Sequence, residues 1–294
     1  MKKLFAFGLG FSAEALAKRL AAKGWRVAGT ARDDGKVERL KREGYDAVRF
    51  SAHAGNATIA EHLAGTTHLL HSIPPGSEGD PVLAHFRETI AALPSLEWVG
   101  YLSTVGVYGD QGGAWVDEGT LPKPNSARTF ARVAAEKAWL DFGRESGVPV
   151  HVFRLAGIYG PGRSVFDKLK AGTARRINKD GQVFSRIHVA DIAGALEASM
   201  AKPRGGAIYN VADDEPAAPG DVVAHAAKLM GVPPPPEVAF ADADLSPMAR
   251  SFYEGSRRIR NARIKSELGV TLRYPTYREG LAALLADDAT AAQD

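Results

Sequence analysis

KKLFAFGLGFSAEALAKRL, residues 2–20, changes its period in the middle. Its first part reads as a strand. Ala13, Leu16, Ala17, Leu20 and Ala21 then recur at helical spacing, and Gly24 closes that helix. Between the two lies Gly8-Leu9-Gly10-Phe11-Ser12-Ala13, which fits GxGxx[G/A]. In that pattern Gly8 permits the tight turn, Gly10 lets backbone approach a pyrophosphate, and Ala13 is small enough for close helix-to-strand packing. The helix start at Phe11 and Ser12 offers free N–H groups to phosphates. A plain tight turn with no ligand is the alternative.

Outward from this stretch, strand-like and helix-like runs alternate to about residue 155. WRVAGT is followed by the charged helix DGKVERLKREG and by DAVRF. THLLHSI is a short strand stopped by Pro74-Pro75, and a helix runs over about 81–93. LEWVGYLSTVGVYGD, residues 96–110, carries an apolar run into Ser103-Thr104. The long helix SARTFARVAAEKAWLDFGRESG ends at Gly143 or Gly147, and VPVHVFRLAGIYG is a sixth strand. The alternation predicts an α/β fold, a doubly wound parallel sheet with helices on both faces. After about 156 the pattern breaks down. RIHVADIAGALEASM is a short strand and a helix, GAIYNVADD one more strand, VPPPPEV an extended loop, RRIRNARIKSELG a basic helix, and LLADDATAAQD a fraying tail. The expected division is a main domain of 1–155 plus about 186–212, and a discontinuous smaller C-terminal lobe of about 156–185 and 213–294.

Composition narrows the function. There is no cysteine, which excludes disulfides, thiolate metal sites and cysteine nucleophiles. Glu14, Lys18 and Arg19 interrupt the N-terminal apolar run, and no stretch approaches the ~18 apolar residues of a membrane span, so the expected location is the cytoplasm, off the membrane. A net charge of +3 suits a small anionic ligand without demanding nucleic acid. The run Arg257-Arg258-Ile259-Arg260, continuing to Arg263 and Lys265, fits either a diphosphate or a solvated helix face, and it has few interleaved aromatics. His68 and His71 have no companion at metal-ligand spacing, so no metal site is expected.

In an open parallel sheet, ligands sit at the carboxyl ends of strands. Ser72 and Ile73 end the fourth strand and join the cofactor-binding candidates. Past the second strand the order is Thr30-Ala31-Arg32-Asp33-Asp34. A cation there accommodates a ribose 2′-phosphate, so Arg32 points to NADP; Asp33 reaching the ribose gives NAD, and a solvated Arg32 gives neither. Ser103 and Thr104 either face a ligand or cap their strand.

STVGVYGD resembles the fifth-strand signature of the extended short-chain dehydrogenase/reductases, the NAD(P)-dependent epimerase/dehydratase group. WVDE at 115–118, RLAGIYGPG at 154–162, RIHVADIA at 186–193 and YNVAD at 209–213 follow in that group's order. The resemblance implies a Rossmann domain that binds NAD(P), a small lobe over the nicotinamide, a nucleotide sugar or other small anionic substrate, and a homodimer. It places Thr104 at the catalytic hydroxyl position with Ser103 beside it.

The chain also departs from that group, whose central device is a Tyr-x-x-x-Lys pair on the next long helix. Those positions are Arg128 and Arg132, and no tyrosine lies between Tyr108 and Tyr159. Arginine stays charged, with a pKa above about 12, so it does not replace tyrosine as proton donor, although Arg132 can stand in for the lysine as a ribose clamp. The dehydratase acid and base are replaced by Val105 and Gly106. Arg128 and Arg132 lie one helical turn apart. Either Glu136 neutralises Arg132 while Asp117 or Glu118 reaches Arg128, or the pair grips an anion. Asp117 and Tyr108 are the remaining acid/base candidates. Tyr159 borders the cleft, His188 positions the lobe, and Asp191 caps or pairs locally. Two readings follow: an atypical NADP-dependent enzyme, reductase-like or epimerase-like, and a non-catalytic NADP(H) sensor.

Overall fold

A computed structural model of the chain describes residues 1–51 and 58–291. In chain order the strands are β1 (Lys3–Phe7), β2 (Arg26–Ala31), β3 (Asp46–Arg49), β4 (His68–His71), β5 (Trp98–Thr104), β6 (Trp115–Val116), β7 (Val150–Leu155), β8 (Gly157–Tyr159), β9 (Arg176–Asn178), β10 (Arg186–His188), β11 (Ile208–Val211), β12 (Glu237–Ala239) and β13 (Arg258–Ile259). The helices are α1 (Phe11–Ala21), α2 (Asp34–Arg42), α3 (Thr58–Leu63), α4 (Pro81–Ala91), α5 (Ala127–Ser146), α6 (Val165–Lys170), α7 (Val189–Ala201), α8 (Pro219–Leu229), α9 (Pro247–Ser251), α10 (Ala262–Ser266) and α11 (Tyr277–Ala291).

Seven strands form one parallel sheet in the order β3-β2-β1-β4-β5-β7-β11. The pleat explains why β1 is apolar throughout. Leu4 and Ala6 pack on one face with Leu16 and Leu20 of α1, Leu40 of α2 and Leu196 of α7. Phe5 and Phe7 pack on the other with Leu63 of α3, Phe86 of α4 and Trp139 of α5. A strand buried on both sides has no polar face to show. The Rossmann-like arrangement expected from the sequence is therefore present, and its strand order reverses between β1 and β4, where ligands bind in such sheets.

Local chemistry sets the helix ends. Asp80 accepts hydrogen bonds from Val82 N and Leu83 N, each 3.0 Å, with Pro81 in the first turn of α4. Ser126 and Thr129 form a capping box at the start of α5, and Gly147 ends it in the left-handed conformation, φ 75°.

Three further strand pairs, β8 with β10, β9 with β12 and β6 with β13, lie outside the main sheet. Tyr159, Phe166, Val222, Tyr277 and Leu281 form a separate apolar core where α6, α8 and α11 meet. Several expectations change here. Ile259, Ile264, Leu268 and Leu272, expected in the lobe, join the core of the main sheet. The basic stretch is not one helix, because Arg258–Ile259 pairs with β6 as a strand and only Ala262–Ser266 is helical. Its cations are spent separately: Arg263 and Lys265 on Glu267 and Asp214, and Arg260 on the Trp115 ring. The proline-rich loop gives way to strand at Glu237. The tail is helical to Ala291, held in part by Lys170 on Asp288 at 2.7 Å; residues 292–294 lie outside the described residues. Among the described residues no helix is long and apolar enough to cross a membrane.

Candidate functional site

The turn after β1 is stitched to both neighbouring strands. Gly8 N donates to Thr30 Oγ1 at 2.9 Å, and Ser72 Oγ donates to Gly8 O at 2.8 Å. Gly8 has φ +83°, and a Cβ there would stand 3.0 Å from Ile73 Cγ1 and 3.3 Å from Ser72 Oγ. Glycine at position 8 is thus required by the fold, and Ser72 and Ile73 are the walls that require it. Gly10 differs. Its φ is −101°, and the nearest atom to an added Cβ is Gly8 O at 3.9 Å. Nothing among the described residues calls for glycine at this position. Gly10 begins α1, which has no side-chain cap on its first N–H groups. Gly10, Phe11 and Ser12 line the mouth of a cleft, and Ala13 is fully buried against the sheet. Phe11 lies under the YGPG loop: a Cβ on Gly160 would be 3.2 Å from its ring, and Arg163 lies over it at 5.6 Å.

Arg32 follows β2, exposed, with no ion-pair partner among the described residues, and it stands outside the cleft wall. Asp33 caps α2 by accepting from Lys36 N at 2.8 Å. One oxygen of the acid that would take a ribose hydroxyl is therefore engaged.

The carboxyl end of β5 forms the floor of the cleft. Thr104 Oγ1 accepts from Gly106 N at 3.0 Å, which caps the strand end and leaves the hydroxyl proton free. Thr104 lines the cleft. Ser103 also borders the cleft, but it is 5% exposed and its hydroxyl is committed to Glu136 Oε1 at 2.5 Å. Glu136 does not neutralise Arg132. It takes the fork of Arg154 on β7 instead, with Nη2 to Oε2 at 2.7 Å, both side chains buried. Arg154 Nη1 donates to Tyr108 OH at 2.9 Å, and Tyr108 OH donates to Asn210 Oδ1 at 2.8 Å. Both capacities of that phenol are used, Tyr108 is fully buried, and burial raises its pKa. Arg154 was missed in the sequence, although a charged residue inside the apolar run VPVHVFRLA was the available signal.

Asp117 is not brought to the cleft. It is exposed and folds a local turn, accepting from Gly119 N and Thr120 N. Glu118 accepts from Asn210 N, 2.8 Å away. Neither carboxylate reaches Arg128, which removes the first of the two alternatives. Arg128 stands on the exposed side of α5 with its guanidinium 5.1 Å from the ring centre of Phe252. Arg132 Nη1 donates to Leu102 O and to Tyr101 OH, both 2.9 Å. Both arginines line the cleft, and neither has a carboxylate partner among the described residues. The cleft measures about 1470 Å³ and carries seven basic side chains against three acidic ones, so its field favours an anion. Of the cations in the basic run, Arg257 alone among the described residues lines it, tied to Gly109 O at 2.6 Å.

On the lobe side, Tyr159 lines the cleft with its ring against α11: a Cβ on Gly280 would lie 2.0 Å from its hydroxyl. His188 caps α7, accepting from Ala190 N at 3.1 Å, and burial takes its pKa down to about 4. Asp191 does not pair locally. It accepts from Arg273 N and Tyr274 N, so it anchors a segment 82 residues away. His68 and His71 are buried in β4, and His71 contacts Asp80 at 2.7 Å.

Asp213, just past β11, is 1% exposed, and its carboxylate has no well-formed hydrogen bond among the described residues, only weak backbone contacts from Arg186 and Glu215. Burial pushes its carboxyl from the ordinary 3.8 up to about 8, against the pull of Arg186. Between those values the folded chain keeps a proton that the unfolded chain has lost. Stability therefore falls as pH rises through that window, by roughly 1 kcal/mol per pH unit, and levels off above it. Asp213→Asn is expected to match the wild type near pH 4 and to melt higher at pH 8. Thermal melts from pH 5 to 9 check this, and an unchanged slope in the variant contradicts it.

The model of the NAD dependent epimerase/dehydratase family matches residues 42–212. A solved structure of a functionally unknown conserved protein from Silicibacter pomeroyi DSS is 52% identical, with TM-score 0.88 over 98% of this chain and 99% of that one. Protein YeeZ of Escherichia coli is 28% identical over 94% of this chain and 97% of its own length. A 3-diazoavenalumate denitrifying reductase from a Streptomyces species is 26% identical over 96% and 99%. MoeE5 in complex with UDP-glucose and NAD shares the fold, at 22% identity and TM-score 0.79 over 99% and 100%.

Proposed function

This chain belongs to the NAD dependent epimerase/dehydratase family, and on that premise we propose that it is an NADP-dependent oxidoreductase, reductase-like in its chemistry, acting on a small anionic substrate. The observation that carries the reading is Gly10: a glycine that the fold does not need, at the uncapped start of α1, beside the point where the strand order reverses. A glycine without an internal reason marks a place where something else approaches backbone. MoeE5, which has this fold, is described with NAD bound.

In this reading the N–H groups at Phe11 and Ser12 hold the pyrophosphate, Arg32 takes the ribose 2′-phosphate, and Arg132 of α5, its guanidinium tied to β5, holds the nicotinamide ribose. When bound, the nicotinamide supplies hydride exchange with a carbon centre. Thr104 donates its free proton in a hydrogen bond to the reacting oxygen. Ser103 acts only through Glu136, as a support for the floor. With no phenol at 128, the proton that follows the hydride onto the reacting oxygen comes from water, a one-way delivery that suits a reductase better than an epimerase, which must take the same proton and return it. The relative named as a denitrifying reductase supports the same preference.

The NADP assignment is tested by fluorescence titration. NADPH is expected to bind at least about tenfold tighter than NADH, a difference of about 1.4 kcal/mol, and Arg32→Ala is expected to remove that preference while leaving NADH binding as it was. Equal binding of the two by the wild type, or a preference that survives Arg32→Ala, contradicts the assignment. The sensor reading is favoured by the full use of the Tyr108 hydroxyl. Tight NADPH binding with no oxidation across a panel of carbonyl and nucleotide-sugar substrates would establish it in place of the enzyme.

A further inference from the structure

We propose, resting on the coenzyme reading above, that the substrate is a small aromatic carboxylate, held with its carboxylate on Arg128 and its ring against Phe252.

Three observations converge on this pair. The first is charge. Arg128 and Arg132 stand one turn apart on α5, line the same cleft, and have no carboxylate partner among the described residues. Like charges at that spacing disfavour each other, so the arrangement gains from an anion between them. Arg132 is held by Leu102 O and Tyr101 OH, both through Nη1, whereas Arg128 has no hydrogen-bond anchor among the described residues and only lies over the Phe252 ring. The guanidinium free to turn onto a ligand is therefore that of Arg128, and its fork matches a carboxylate bidentately.

The second is a half-open aromatic ring: the Arg128 guanidinium lies over Phe252, and the rest of that ring is left to solvent. Phe252 lines the cleft from the lobe and is 51% exposed, one of few large apolar side chains left so open. An aromatic ligand covers it and gains offset or edge-to-face contact.

The third is spacing. The Arg128 guanidinium lies 5.1 Å from the centre of the Phe252 ring. A ligand that uses both must carry its anion within about one ring's length of its own flat face. An aromatic acid does so. A nucleotide separates its base from its phosphates by a ribose, so it satisfies one member of the pair and overshoots the other. The pair also stands near the reacting end of the cleft: Thr129, the next residue in the chain, packs over Gly106 with its Cγ2 3.5 Å from where a Cβ would be, beside Thr104.

The test uses the protein saturated with NADPH and titrates it with cinnamate, its uncharged amide cinnamamide, and UDP-glucose. Cinnamate is expected to bind at least tenfold tighter than cinnamamide. Arg128→Gln is expected to erase that gap, Arg128→Lys to keep part of it, and Phe252→Ala to weaken acid and amide alike, all with NADPH affinity unchanged. Acid and amide binding equally, or UDP-glucose binding where cinnamate does not, overturns the proposal. If NADPH itself does not bind, the coenzyme reading is what fails. The same acid-against-amide comparison on the protein alone then still decides between Arg128 as a carboxylate site and no site.

Discussion

Glu136→Ala is expected to destabilise the protein by about 3–5 kcal/mol. Arg154 is 3% exposed, and Glu136 receives three hydrogen bonds from its guanidinium as well as the Ser103 hydroxyl. Removing the carboxylate leaves a buried cation whose one remaining hydrogen-bond partner among the described residues is Tyr108 OH. The desolvation cost of that cation is what the variant exposes, so the loss far exceeds the fraction of a kcal/mol typical of an exposed pair. Replacing both partners with apolar residues of similar volume, as in Glu136→Leu with Arg154→Met, is expected to cost much less, because no charge is then stranded. Urea denaturation of the three proteins separates these outcomes. A loss below about 1 kcal/mol in Glu136→Ala would mean that the pair is hydrated in solution.

Gly10→Val is expected to weaken NADPH binding at least about 100-fold, close to 3 kcal/mol, while the protein without coenzyme stays folded. The two effects separate because of the local geometry. At φ −101° and ψ −170° the backbone of residue 10 is open to any amino acid, and the nearest described atom to an added Cβ is Gly8 O, 3.9 Å away. Only the modest cost of a poorer helix cap is expected, about 1 kcal/mol. The space that the valine would fill is the space assigned to the pyrophosphate. Gly8 does not allow this separation, since its positive φ and the closeness of Ile73 make any replacement a folding defect as well. Paired melting and titration of Gly10→Val give both numbers. Undiminished affinity would remove the pyrophosphate from this turn.

Much of the fold was legible because it depends on local pattern. The change of period across residues 2–20 marks β1, the glycine turn and α1, and the unbroken apolar runs mark strands covered on both faces. Pairings set by burial were not legible. Helical spacing matches Arg132 with Glu136, but such pairs contribute only about 0.2–0.5 kcal/mol on a solvated face. Arg154, carried into the core by a strand, is shut away from solvent and competes far more strongly for the same carboxylate. Asp191 follows the same logic, satisfying backbone N–H groups far along the chain rather than its neighbours. YNVADD places two aspartates side by side, and only the packing of β11 shows that Asp213 is buried while Asp214 pairs with Lys265. The run RRIRNARIK looks like one charged face because its composition is uniform, yet β13 pairs with β6 and divides it. At the candidate site the two arginines of α5 were visible in the sequence, whereas Phe252, brought from the far side of the cleft, was not.

Calorimetric titration of the purified chain with NADPH, NADP, NADH and NAD tests the central claim most directly. The account predicts heat that saturates at one coenzyme per chain for NADPH. Absence of heat from all four at millimolar concentration would contradict it, because the turn at Gly10 would then be holding nothing.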